Sequence, residues 1–266
     1  MDRKRRIRPS GDIAASDWVA ERIASYEAWT VGSIVPTGFE AYARIFHPAE
    51  GPFGTRARWA DVATWSGTVM HPHAEFERIQ QGTSGEQSTY TPDPGELAPD
   101  LVSALAVVLR RHTDSPNRCW FCVWEGGWIT GPGAILTATN APSSVRAEAQ
   151  REWEAAWQPF FGDHAIEGQR VRLPGRNYHL FKGPLDAIHE IGEQRHWRDA
   201  SHFDPHSPNL WWPDDHTWCV ATDIDLDSTY IGGEIALIDE LLADPSFEAL
   251  AVNASDVRGD RINTAS

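Results

Sequence analysis

The sequence predicts an α+β fold, a largely antiparallel sheet flanked by helices, over residues 14–260 as a single domain. Short runs in which apolar and polar residues alternate are separated by Gly- and Pro-rich turns, so most strands are joined by turns rather than crossovers. Helical stripes interrupt these runs irregularly instead of alternating with them. No period of 20–50 residues recurs, which excludes a solenoid or propeller. With 266 residues, 41% of them hydrophobic, the chain can bury one large core. A two-lobed division near 140–160 is the alternative, because each half carries strands and helices of its own.

Residues 1–13 read as a flexible basic tail around Arg3, Lys4, Arg5, Arg6 and Arg8, the usual state of a terminal charge cluster. Ser16 is placed to cap a helix that reaches Trp29 through Trp18, Val19, Ile23 and Tyr26. Residues 32–48 read as two strands joined at Pro36-Thr37-Gly38, with Phe39, Ala41, Ala43 and Ile45 alternating against Glu40, Tyr42 and Arg44 in the second. A short helix covers Trp59 to Trp65, and the Gly/Ser/Thr/Pro-rich stretch 80–96 reads as a long loop. Pro99 opens a helix to about Arg111 whose stripe is Leu101, Val102, Leu105, Val108 and Leu109.

Strands are expected at 119–126 and 134–139, then a helix from Ser144 to Trp157 that stops before Pro159. Further strands fall at 169–173 and 178–182, with a short helix near 184–191 and a polar, His-rich loop over 192–209. Strand 216–223 leads through a polar turn into a helix at 234–243 that puts Ile235, Ile238, Leu241 and Leu242 on one face. Phe247 to Val252 closes as a last strand, and residues 261–266 fray.

Charge excludes some functions. The 23 Lys and Arg stand against 38 Asp and Glu, a formal charge of −15. That argues against a general nucleic-acid or anionic-membrane binder, which presents a basic face to phosphates. No apolar run is long enough to span a bilayer, and no apolar stretch follows the basic start as in a secretory signal. An odd count of three Cys fits a reducing cytoplasm better than a disulfide framework. From Gly183 onward 17 Asp and Glu face four Arg, so the acidity is concentrated in the last third. It reads as a solvated face, and alternatively as a cation site or a surface for a basic partner. Only two of the 23 basic residues are Lys, a skew that suggests a GC-rich genome.

Four constellations invite a functional reading. Cys119-Trp120-Phe121-Cys122 has C-x-x-C spacing, but its flanks are strand formers, so the two thiols point to opposite faces and read as structural. Asp223, Asp225, Asp227 and Glu234 occupy positions 1, 3, 5 and 12 of an EF-hand-like calcium loop. Ser228 stands where the sharp turn needs Gly, however, and the preceding segment reads as a strand. His202, Asp204, His206 and His216, with His71 and His73 as further candidates, offer the two His plus carboxylate of an open divalent-metal site. Asp214 or Asp215 is then the candidate general base. Finally Trp120, Trp124, Trp128, Trp211, Trp212 and Trp218, among 13 Trp, lie on or beside expected strands. Strand aromatics usually fill cores; if alternate rings share a face, Trp124, Trp128, Trp211 and Trp212 line an apolar groove. No nucleophile elbow, P-loop or dinucleotide glycine pattern occurs.

The segments GFEAYARIFHP (38–48), CWFCVWEG (119–126), LPGRNYHLFKGP (173–184) and WWPDDHTWCVATDIDLDSTYIGG (211–233) resemble a family of Trp-rich soluble actinobacterial proteins of no established activity. The resemblance covers most of the chain beyond the tail. It implies a cytoplasmic, full-length single-domain protein from a GC-rich bacterium and carries no catalytic residue across. Two functional expectations follow from the residues. The first is a non-enzymatic binding module for a protein or small-molecule partner, using the aromatic groove or the acidic C-terminal face. The second is a divalent-metal-dependent hydrolase built on the 202–216 histidines.

Overall fold

The structure is a computed structural model that describes residues 6–81, 89–126, 143–158, 168–197 and 200–258. The expected strand at 134–139, Trp128, the first five residues and the fraying end at 261–266 lie outside the described residues.

Fifteen short strands are present among the described residues: β1 (Arg8–Pro9), β2 (Ala41–Phe46), β3 (Ala49–Glu50), β4 (Arg56–Ala57), β5 (Thr91–Pro92), β6 (Cys119–Trp124), β7 (Trp157–Gln158), β8 (Val171–Leu173), β9 (Arg176–Gly183), β10 (Gly192–Trp197), β11 (Ala200–Pro205), β12 (Leu210–Pro213), β13 (Cys219–Ala221), β14 (Ser228–Gly233) and β15 (Ala249–Val252). Nine form one sheet in the order β1-β9-β6-β12-β13-β14-β2-β15, with β8 beside β9. Every pairing in it is antiparallel. The fold is therefore α+β, as the turn-joined strands implied.

Both faces of this sheet are covered, which is why its central strands are apolar without a break. Cys119, Phe121, Val123, Trp211 and Val220 enter one core, under the helices Pro99–Leu109 and Ile235–Ala243. Trp120, Cys122, Trp212 and Ala221 enter the other, where Val19, Val31, Ile34 and Val35 close over them. Successive side chains alternate across a strand, so neighbours in sequence serve opposite cores. A third cluster, with Phe46, Trp59, Val62, Phe76 and Ile79, fills a small lobe made by the helices Trp59–Ser66 and Phe76–Gln80. The sheet β4-β3-β5 belongs to the same region of the chain.

Several elements differ from the expectation, each for a physical reason. Residues 6–13 are not a free tail: Ile7 is buried in the first core, Arg8 and Pro9 pair with β9, and Arg6 bonds Glu190 and Asp186. The first helix ends at Arg22, and the Ser16 hydroxyl donates to the Ile13 carbonyl instead of capping it. Of the two strands expected in 32–48 only β2 forms. Residues 31–33 make a 3₁₀ turn whose Gly32 lies against the Ala254 carbonyl, 3.0 Å from where a Cβ would stand. The expected loop 192–209 is instead the hairpin β10–β11, joined by β7 into a three-stranded sheet. Its strands carry polar residues on both faces, so no apolar alternation marks them. The expected polar turn before the last helix is in part the buried strand β14, which ends in Gly232 and Gly233; a Cβ at Gly232 would meet the Phe39 ring at 2.4 Å.

Candidate functional site

The calcium-loop acids are dispersed. Asp223 receives Arg176 at 3.2 Å, and Asp225 pairs with the same guanidinium. Asp227 faces Arg44 at 3.6 Å, and Glu234 takes a bond from His112 at 2.8 Å. Because Ser228–Gly233 is a buried strand, the chain between Asp227 and Glu234 runs straight and cannot wrap an ion.

The proposed metal histidines are separated too. His202 is exposed and reaches Asp204, two residues on in the same strand, at 3.1 Å. His216 stacks on Trp18 with ring centroids 4.5 Å apart, and His73 faces Asp256 at 3.8 Å. Asp214 accepts from the Trp120 indole and pairs with Arg118. Asp215 staples a turn, accepting from the Thr113 hydroxyl at 2.6 Å and the Asp114 amide at 2.9 Å. Burial raises its carboxyl, but the bonds from Thr113, Thr217 and Ser115 outweigh that and hold it low. A carboxylate so satisfied is a poor general base. Among the described residues no group of three or more His, Cys, Asp or Glu is arranged to hold a metal ion.

The described tryptophans of β6 and β12, with Trp218, pack in or against the two cores. Trp211 and Trp212 are 1% and 0% exposed and serve opposite faces of the sheet, so they share no groove. Trp124 packs at the margin of the second core. The cysteines are as expected: Cys119 and Cys122 lie in different cores, and burial pushes the Cys119 thiol up to about 12 and Cys122 higher still.

What the fold does assemble is a cleft of about 250 Å³ where three separately built parts meet. The end of β2 supplies His47; the small sheet and the turn after β5 supply Glu50, Arg56, Asp93 and Glu96; the end of β11 supplies Asp204 and His206. Its two imidazoles differ in charge. His47 is fully enclosed: Nδ1–H donates to the Asp93 carbonyl at 2.8 Å, and Nε2 accepts from the Thr229 hydroxyl at 3.0 Å. Burial lowers it to about 4, so it stays neutral. His206 bonds Glu96 through Nδ1 at 2.7 Å and reaches Glu193 through Nε2 at 3.4 Å. Burial pulls it down, but the two carboxylates overcome that and raise it to about 9, so it is an imidazolium.

Asp93 is the group this arrangement leaves in tension. Burial, then Glu50 and Glu96, raise its carboxyl, and only Arg56 opposes them. Arg56 is itself held by Glu50 at 2.6 Å and Asp100 at 2.9 Å. The cleft therefore holds more carboxylate than cation, on one partly buried wall. Of these residues only Asp204 and His206 belong to a constellation visible in the sequence. His47 lies in one segment and Asp93 and Glu96, three residues apart, in another, with no motif spacing, and no local signal connects them. No family model matches the chain, and neither a curated protein nor a solved structure matches it.

Proposed function

We propose that this protein is a binding module for a small organic cation, a primary amine or guanidinium compound, held in the cleft at Asp93, Glu96 and Asp204. The observation that carries this reading is Asp93, a carboxyl raised by burial and by two neighbouring carboxylates inside a cleft. An added positive charge relieves that repulsion, so cation binding and proton release from Asp93 are coupled. The cleft volume suits a few heavy atoms rather than a macromolecule. A cytoplasmic setting belongs to the same proposal, supported by three free, buried cysteines.

Calorimetric titration with putrescine and with arginine amide tests it, with Mn²⁺ as the probe for the metal-dependent alternative. Saturable binding of either organic cation is expected, weakened by Asp93→Asn and weakening as pH falls and Asp93 protonates. Absence of binding by both organic probes sinks the reading, and tight Mn²⁺ binding in their place transfers the site to a divalent ion.

A further inference from the structure

Two arginines in this chain are buried to a similar degree and stacked on aromatic rings, yet among the described residues one has a full set of acceptors and the other has none. Arg44 is 5% exposed and lies 4.4 Å over the Phe46 ring. Its guanidinium donates to the Ser228 hydroxyl at 2.9 Å and to the carbonyls of Pro72 and Ala74 at 3.0 and 2.9 Å, with Asp227 beyond. Arg258 is 4% exposed and sits 4.1 Å over Trp29 and 5.0 Å from Tyr26. Among the described residues its Nε, Nη1 and Nη2 find no hydrogen-bond partner.

Its position is firmly set. Residues 254–258 run beside residues 29–32, with Gly32 N–H donating to the Ala254 carbonyl at 2.8 Å, Val31 N–H to Asp256 at 2.9 Å and Arg258 N–H to Trp29 at 2.9 Å. The nearby carboxylates are already engaged: Asp223 and Asp225 hold Arg176, which also lies by Tyr26, and Asp256 accepts from the Asn253 amide at 2.7 Å. A buried guanidinium carries five N–H donors and a full charge, and burial without acceptors is strongly unfavourable. Ring faces compensate part of the charge but accept none of the in-plane N–H groups. A small oxyanion does both, because a carboxylate or phosphate takes two parallel N–H donors from the guanidinium fork.

We infer that Arg258, between Tyr26 and Trp29, is a binding site for a free small oxyanion, a carboxylate or a phosphate, distinct from the amine cleft. Trp29 is the wall through which the ligand enters. It is 37% exposed, ends a single 3₁₀ turn and adopts a left-handed backbone, φ 55°. Within the chain itself, the carboxylate of Asp260 is the alternative source of an oxyanion close in sequence.

Calorimetric titration of the full chain with inorganic phosphate and with acetate, at constant ionic strength, tests the inference. The expected result is one saturable site for at least one of the two anions, lost in Arg258→Met. In Arg258→Lys, which keeps the charge but not the fork, affinity falls at least about tenfold; this variant decides the matter if Arg258→Met does not fold. No saturable binding to the wild-type chain overturns the inference, as does binding that survives both substitutions. Binding that appears only in Asp260→Asn also overturns it, because the chain's own carboxylate then occupies the guanidinium.

Discussion

The centre of the large sheet and the cleft beside His47 use the same raw material, side chains brought together from distant segments, to opposite ends. At the centre, Trp211 and Trp212 follow one another in sequence and disappear into separate cores, each almost free of solvent. The Trp211 ring meets Trp218 edge-on at 5.5 Å, and Trp212 meets Trp18 at 5.9 Å. In the cleft, charged groups stay partly open and only some of them are matched: His206 is held between Glu96 and Glu193, whereas Asp93 faces like charges. Trp211 and Trp212, which look functional by type, are residues the fold has finished with. The unfinished electrostatics lie around Asp93, in a segment to which no motif points.

The contrast breaks most visibly at the tryptophans. Trp211→Ala and Trp212→Ala should each destabilise the fold by about 3–5 kcal/mol, the cost of emptying a large buried site. Chemical denaturation measures it. A loss below about 1 kcal/mol at Trp212 would mean that the second core is not closed.

The two imidazoles sharpen it next, because they act at opposite ends of the pH scale. His206 is raised from 6.5 to about 9, so its contribution is complete below pH 6.5 and is lost as pH rises through about 9. His47 is lowered from 6.5 to about 4, so its contribution is present above pH 6.5 and is lost as pH falls towards 4. Thermal unfolding against pH should show both limbs. His206→Gln should flatten the alkaline one and His47→Gln the limb between 6.5 and 4. An unchanged profile in either variant removes that residue from the account.

The smallest effect belongs to the former calcium candidates. Asp225 is an exposed carboxylate, and Asp223 remains to hold Arg176 when it is neutralised. Asp225→Asn should change stability by less than about 0.5 kcal/mol, in the range of exposed ion pairs. Adding Ca²⁺ should not raise the melting temperature of the wild-type chain; a saturating rise would show that the acids of 223–234 can rearrange around an ion.

Elements with strong apolar periodicity are legible in the sequence. The stripe through Val102, Leu105 and Leu109 is the helix Pro99–Leu109, and the strand formers of 119–124 are β6 with its thiols on opposite faces. The helix Ile235–Ala243 buries Leu237, Ile238 and Leu241, though Ile235 and Leu242, expected on the same face, are left exposed. The hairpin β10–β11 is not legible, because polar strands carry no alternation to read. Nor is the anchoring of Ile7 and Arg8, since β1 pairs with Phe181 and Lys182, more than 170 residues away.

The antiparallel α+β class, the opposite-facing thiols of Cys119 and Cys122 and the net charge of −15 are written in the sequence, since each depends on local periodicity or composition. Which carboxylate meets which cation follows from long-range packing alone. Arg44 and Arg258 are alike in sequence terms, but long-range packing surrounded one with acceptors and the other with aromatic faces. Hydrogen bonds and ion pairs act over a few ångströms, and such distances between remote residues exist only once the chain has folded.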